Sequence, residues 1–176
     1  MKKLTISTVP VAIAALIAIV PAAHAADGTL NFTGNITANS CVINANSPNL
    51  NIDLGNVPAS ALASAGQRAG QSAFQIALTG CTGGSTKVAA KFESGLADPT
   101  TGHLPLDASS TAKNVQVAIF DTTDTDNKFG QAPAPSAYQT LTGGAATLNY
   151  SAWYAATGAA TVGTANANAT YTLSYQ

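Results

Sequence analysis

Few residues in this sequence have the types and spacing that chemistry requires. Beyond the first 25 residues there is one histidine, His103, in a Gly-His-Leu-Pro context typical of a loop. Any Ser–His–Asp arrangement would have to use it, yet no Gly-x-Ser-x-Gly elbow occurs to present a nucleophile. His103 therefore reads as an ordinary loop residue. Asp121, Asp124 and Asp126, close to Gly130, have the flavour of a calcium loop. A loop of that kind starting at Asp124 needs a glutamate at its twelfth position, where Pro135 stands. A solvated turn is the simpler reading. Cys41 and Cys81 are the only cysteines and stand 40 residues apart, a spacing that matches no zinc or redox motif. Trp153, Tyr154 and Tyr150 could line a sugar site, although core aromatics of a strand are the simpler reading for some of them. Three sequons, at Asn31, Asn35 and Asn168, fall in strand-like stretches. The expectation is a protein with no catalytic residue, no metal and no cofactor.

The elements that must position these residues begin after an export signal. Lys2 and Lys3 precede an apolar stretch from Val9 to Val20, and Ala23-His24-Ala25 has the small-x-small form of a signal peptidase site. The apolar stretch is too short to span a bilayer, which takes about 20 residues. The expected organisation is a signal peptide over 1–25 and one domain after it, with no transmembrane span. Export places the two cysteines in an oxidising compartment, where they should pair. Closing a loop of this length stabilises a fold by about 4 kcal/mol in the chain-entropy model.

Only 9% of residues are charged, against about a quarter in ordinary soluble domains. After residue 25 there are five basic and eight acidic residues, a balance of −3, with no basic run. Nucleic acid and anionic membrane are poor partners for such a chain. A surface of Ala, Thr, Asn, Gly and Ser suits close packing against other protein, and an extracellular habit of composition explains it equally well.

Hydrophobic residues alternate with polar ones in Phe74–Leu78, Val88–Phe92, Val115–Phe120 and Leu148–Tyr154. Gly, Pro, Asn and Asp clusters separate these runs, which argues for an all-β sandwich. A short helical turn is expected within Ala59–Ala69 and a loop over Thr122–Ala137. The ends carry the clearest alternation. Gly28, Leu30, Phe32, Gly34 and Ile36 share one face of a strand whose other face is Thr and Asn. Ala169, Tyr171, Leu173 and Tyr175 share one face of a last strand that the sequence ends on, at Gln176. The two ends either pair with each other in a closed domain or exchange strands between chains, since an exposed apolar edge must be covered.

These segments resemble the subunits of chaperone–usher pili, specifically the type 1 fimbrial family. The likeness rests on the start Ala26-Asp27-Gly28-Thr29-Leu30-Asn31-Phe32-Thr33-Gly34-Asn35-Ile36, on Cys41 with Cys81, and on a tail bearing Gly163 and the penultimate Tyr175. The tail is similar to major subunits, whereas the short segment before Cys41 is similar to minor or adaptor ones. The resemblance implies an incomplete immunoglobulin-like β-sandwich, the pilin fold, that lacks its last strand and is completed in trans. It implies a donor strand over 26–37, with Gly28, Leu30, Phe32, Gly34 and Ile36 facing an acceptor, and a pilin domain over 38–176. Gly163, Tyr171, Leu173 and Tyr175 would belong to the edge that receives a chaperone and then a donor. The implied partners are identical or related pilin subunits, a periplasmic chaperone and an outer-membrane usher. The implied destination, by way of the periplasm, is a fimbria on the cell surface that supports adhesion. The alternative is a self-contained secreted β-sandwich binding module, lectin-like in function.

Overall fold

The computed structural model describes residues 40–44 and 49–176. The expected signal peptide and donor segment lie outside the described residues. Among the described residues eight strands follow one another: β1 Ser40–Ile43, β2 Arg68–Thr82, β3 Lys87–Glu93, β4 Leu104–Pro105, β5 Val115–Asp121, β6 Gln139–Thr140, β7 Ala146–Ala156 and β8 Thr170–Tyr175. A 3-10 turn at Ala59–Leu62 fills the expected helical position. The expected loop over Thr122–Ala137 is irregular apart from a 3-10 turn at Pro135–Ala137.

The strands form two antiparallel sheets, in the orders β1-β2-β7-β5-β4 and β6-β3-β8. Period-two alternation explains why each run commits to a sheet. Ile76 and Leu78 of β2 and Leu148 and Tyr150 of β7 point inward and are buried, while Gln75 and Asn149 point out. The register places Phe74 opposite Tyr150 and Ile76 opposite Leu148. In the smaller sheet Val88, Ala89 and Ala90 of β3 are inaccessible to solvent. Aromatic rings join the two layers. Phe92 meets Tyr150 edge to face with centroids 5.0 Å apart, and Tyr150 stacks on Phe74 at 5.7 Å.

Glycine is required at one bulge. Register slips between Ala69 and Ser72, where Gly70 takes φ +74°. A Cβ there would lie 2.7 Å from Val57 Cγ2 and 2.9 Å from Leu54 O. The bulge lets the segment before β2 run against the sheet.

Tyr150 also carries a polar strut through the core. Its Oη accepts the Ala90 N–H at 3.0 Å. Burial pushes the Tyr150 hydroxyl up to about 12, although the Ala90 bond acts the other way. The unfolded phenol titrates near 10. A raised folded pKa means that this stabilisation is complete below pH ~10 and is lost as pH rises toward 12. The expected loss over that window is about 3 kcal/mol. Urea midpoints from pH 9 to 12 should show it. Tyr150→Phe should flatten the fall, leaving the smaller slope of Tyr154 and Tyr171, both also raised by burial. An unchanged slope would assign the alkaline loss elsewhere.

Candidate functional site

The first four sheet positions, β1-β2-β7-β5, reproduce the A-B-E-D order of a constant-type immunoglobulin sandwich, and β3-β8 reproduce C-F. In a closed sandwich a seventh strand, G, lies beside F. Among the described residues no strand pairs with β8 on that side. β8 is therefore the terminal described strand of its sheet, as β1 is of the other.

This edge is built on the core. Val88 pairs with Tyr175, Ala90 with Leu173 and Phe92 with Tyr171, so β3 fixes the register of β8 residue by residue. Tyr171, Leu173 and Tyr175 are half-buried and pack against the main core cluster, together with Cys41 and Ile43 of β1. Their inward face follows from alternation, and Thr172 and Ser174 take the other face. The two edges meet where the Cys41 N–H donates to Tyr175 Oη, 3.1 Å away. Cys41 is bonded to Cys81, which ties β1 to β2. Tyr175 thus touches both layers at one end of this edge.

The structure brings Tyr171, Leu173 and Tyr175 together and sets Gly163 elsewhere. Gly163 lies in the irregular segment between β7 and β8, a strap held along residues 107–114. Thr164 O accepts the N–H groups of Thr111 and Ala112, and Asn166 O accepts that of Asp107. The Ser110 hydroxyl and Asn166 bond reciprocally, and Tyr154 Oη donates to Ala165 O at 2.8 Å. A Cβ on Gly163 would lie 2.4 Å from Ala112 N and 2.5 Å from Thr111 Oγ1. Gly163→Ala should therefore cost about 1–3 kcal/mol through overpacking, read as a lowered unfolding midpoint. A midpoint equal to the parent's would show that the strap yields freely.

The other candidates resolve into structural contacts. His103 Nε2 lies 3.0 Å from Asp126 Oδ2 and joins two loops. Asp121 is buried, which alone would raise its pKa. Donors on Ser136, Thr123 and Thr125 outweigh that and hold it low, so it anchors its turn as a carboxylate. Arg68 grips Asp124 through two bonds of 2.8 and 2.9 Å and lies over the rings of Phe120 and Trp153. The three aromatics considered for sugar do not converge: Tyr150 is in the core, Tyr154 holds the strap and Trp153 stacks on Arg68. The described residues contain no cluster of three or more His, Cys, Asp or Glu placed to hold a metal ion.

The strap and the Cys41–Tyr175 bond escape sequence reasoning. The only signal for the strap is the run of small residues from Ala155 to Ala169.

Comparison with known proteins gives this geometry its context. The chain is 38% identical over 158 residues to the F17 fimbrial protein of Escherichia coli, covering 85% of this chain and 88% of the relative. It is 37% identical over 153 residues to a type-1 fimbrial protein A chain of Escherichia coli, covering 85% and 83%. Its fold matches the solved structure of a chaperone–usher pilus with a TM-score of 0.62 at 20% identity, over 89% of this chain and all of that one. The family model described as fimbrial protein matches residues 30–176, so the chain belongs to the fimbrial protein family.

Proposed function

We propose that this fimbrial subunit polymerises by donor-strand exchange, in which residues 26–37 of one copy lie along β8 of another and supply its G strand. The reading is carried by one observation: no described strand fills the G position beside a β8 whose inward side chains already belong to the core. The alternation of Gly28, Leu30, Phe32, Gly34 and Ile36 supports it, because such a strand presents one apolar face to an acceptor. A periplasmic chaperone occupies the same edge during folding, and an outer-membrane usher exchanges it for the next subunit's strand. The product is a non-enzymatic fibre on the cell surface that supports adhesion, with this chain as a major structural component.

Two measurements test the reading. Mature protein from the periplasm should be captured by its chaperone. After assembly it should give ladders on gels that collapse only on heating. Tyr175→Ala removes the ring that spans the two edges. It should lower both periplasmic accumulation and chaperone co-purification several-fold, while unchanged levels of both would remove Tyr175 from the acceptor edge. A subunit that is stable and monomeric without any added strand would favour the closed, lectin-like module.

A further inference from the structure

The outer face of the larger sheet carries a concavity that the assembly reading does not use. Its volume is about 360 Å³, at the small end of ligand-sized pockets. Gln71, Ala73 and Gln75 of β2 and Asn149 and Ser151 of β7 line it, and the turn after β5, with Thr122, overhangs it. Cross-strand pairing of Ala73 with Ser151 and Gln75 with Asn149 creates the hollow, since two small residues sit beside two long amides.

Its chemistry is uncharged and hydrogen-bonding. The carboxylates on its rim are spent: Asp124 on Arg68, and Asp121 on its own turn. The Gln71, Gln75 and Thr122 side chains hydrogen-bond to no described residue. Asn149 makes one long contact of 3.4 Å, from Nδ2 to Thr147 O, which leaves its Oδ1 available. Ser151 Oγ receives the Trp153 N–H and keeps its own proton to donate. A carboxamide both donates and accepts, and so does a hydroxyl. A set of amides and hydroxyls with no free charge matches a ligand dense in hydroxyls and discriminates against ions, whose desolvation nothing here repays.

We propose that this concavity is a subsite for one neutral pyranose of a glycan. The site stands on the subunit alone. Only its avidity rests on the fibre reading, in which a weak site repeated along a polymer binds far more tightly than one copy.

The test uses assembled fibres and methyl glycosides of galactose, mannose and N-acetylglucosamine, followed by saturation-transfer NMR. N-acetylneuraminic acid serves as the charged control. At least one neutral glycoside should receive saturation. Gln75→Ala with Asn149→Ala should weaken it tenfold or more, and Ala73→Arg, which fills the hollow, should abolish it. Fibre yield and heat-resistant ladders should stay at parental levels, which separates failure of this site from failure of assembly. Should Ala73→Arg subunits not accumulate, Gln71→Ala with Gln75→Ala gives the same readout from exposed side chains. Transfer to none of the neutral glycosides, equal transfer to the acidic control, or transfer untouched by the amide variants would overturn the proposal. Binding of fibres to immobilised host-type glycoproteins, against polysaccharide purified from the producing cells, tells which source supplies the sugar.

Discussion

A subunit lacking residues 26–33 should fold with its chaperone, accept a donor strand and end every fibre it enters. The deletion removes Leu30 and Phe32, each worth about 1.5–3 kcal/mol when buried in an acceptor. It also removes most of the ladder hydrogen bonds along the strand, at about 1 kcal/mol net apiece. The main core cluster is drawn from β2, β3, β4, β5 and β7, with Ile76, Leu78, Val88 and Leu148 fully buried in it. The loss should therefore fall on donation alone. Phe32→Asp should act in the same direction, since it carries an unpaired carboxylate into an apolar socket. Gly34→Leu should slow assembly by overfilling a site shaped for glycine. Electron microscopy of surface fibres, with heat-dependent gel ladders, gives the measurement. Long fibres built from the deletion variant alone would end the donor-strand reading. A variant that fails to fold even with chaperone or added 26–37 peptide would place the segment in its own domain.

Replacing both Cys41 and Cys81 by serine should cost about 4 kcal/mol, because the cross-link closes a 40-residue separation in the unfolded chain. Domains of this size hold about 5–15 kcal/mol in all. The variant should therefore be poorly populated in the periplasm and cleared by proteases. The effect reaches the β8 edge directly. β1 spans only four residues, and its Cys41 N–H is the one that meets Tyr175 Oη. Without the bond to β2, β1 should fray and that contact should go with it. Urea unfolding of donor-complemented subunit, oxidised against double-serine, measures the difference. A shift equivalent to less than about 1 kcal/mol would mean that β1 holds its place by pairing alone.

Long alternating runs were legible in the sequence because one buried face imposes period two over many residues. Phe74–Leu78 marks the middle of β2, Val88–Phe92 nearly all of β3, and Leu148–Tyr154 most of β7. β8 starts at Thr170, one residue after the Ala169 that alternation placed on its face, because Asn168 turns aside to donate to Asp107 Oδ2. β4 and β6 span two residues each, too short for any period to register. The Gly70 bulge depends on Val57 and Leu54, which are distant in sequence, so local patterning holds no trace of it. The same holds for Gly163, whose packing against Thr111 and Ala112 is a tertiary fact. Of the acceptor edge, the alternation of Tyr171, Leu173 and Tyr175 was visible in advance. Its position as the last described strand of its sheet needed the sheet order.

The Cys41–Cys81 bond takes on another meaning when the proposed fibre is pulled. Tension carried along residues 26–37 enters the described domain at Ser40, and Cys41 is the next residue. Hydrogen bonds between β1 and β2 would otherwise face that pull from their end and break in succession. The covalent link moves the strain at once onto β2, the longest strand at 15 residues, which is paired along most of its length with β7. A flow-stressed fibre would thus keep each subunit's leading end folded for as long as the bond is intact.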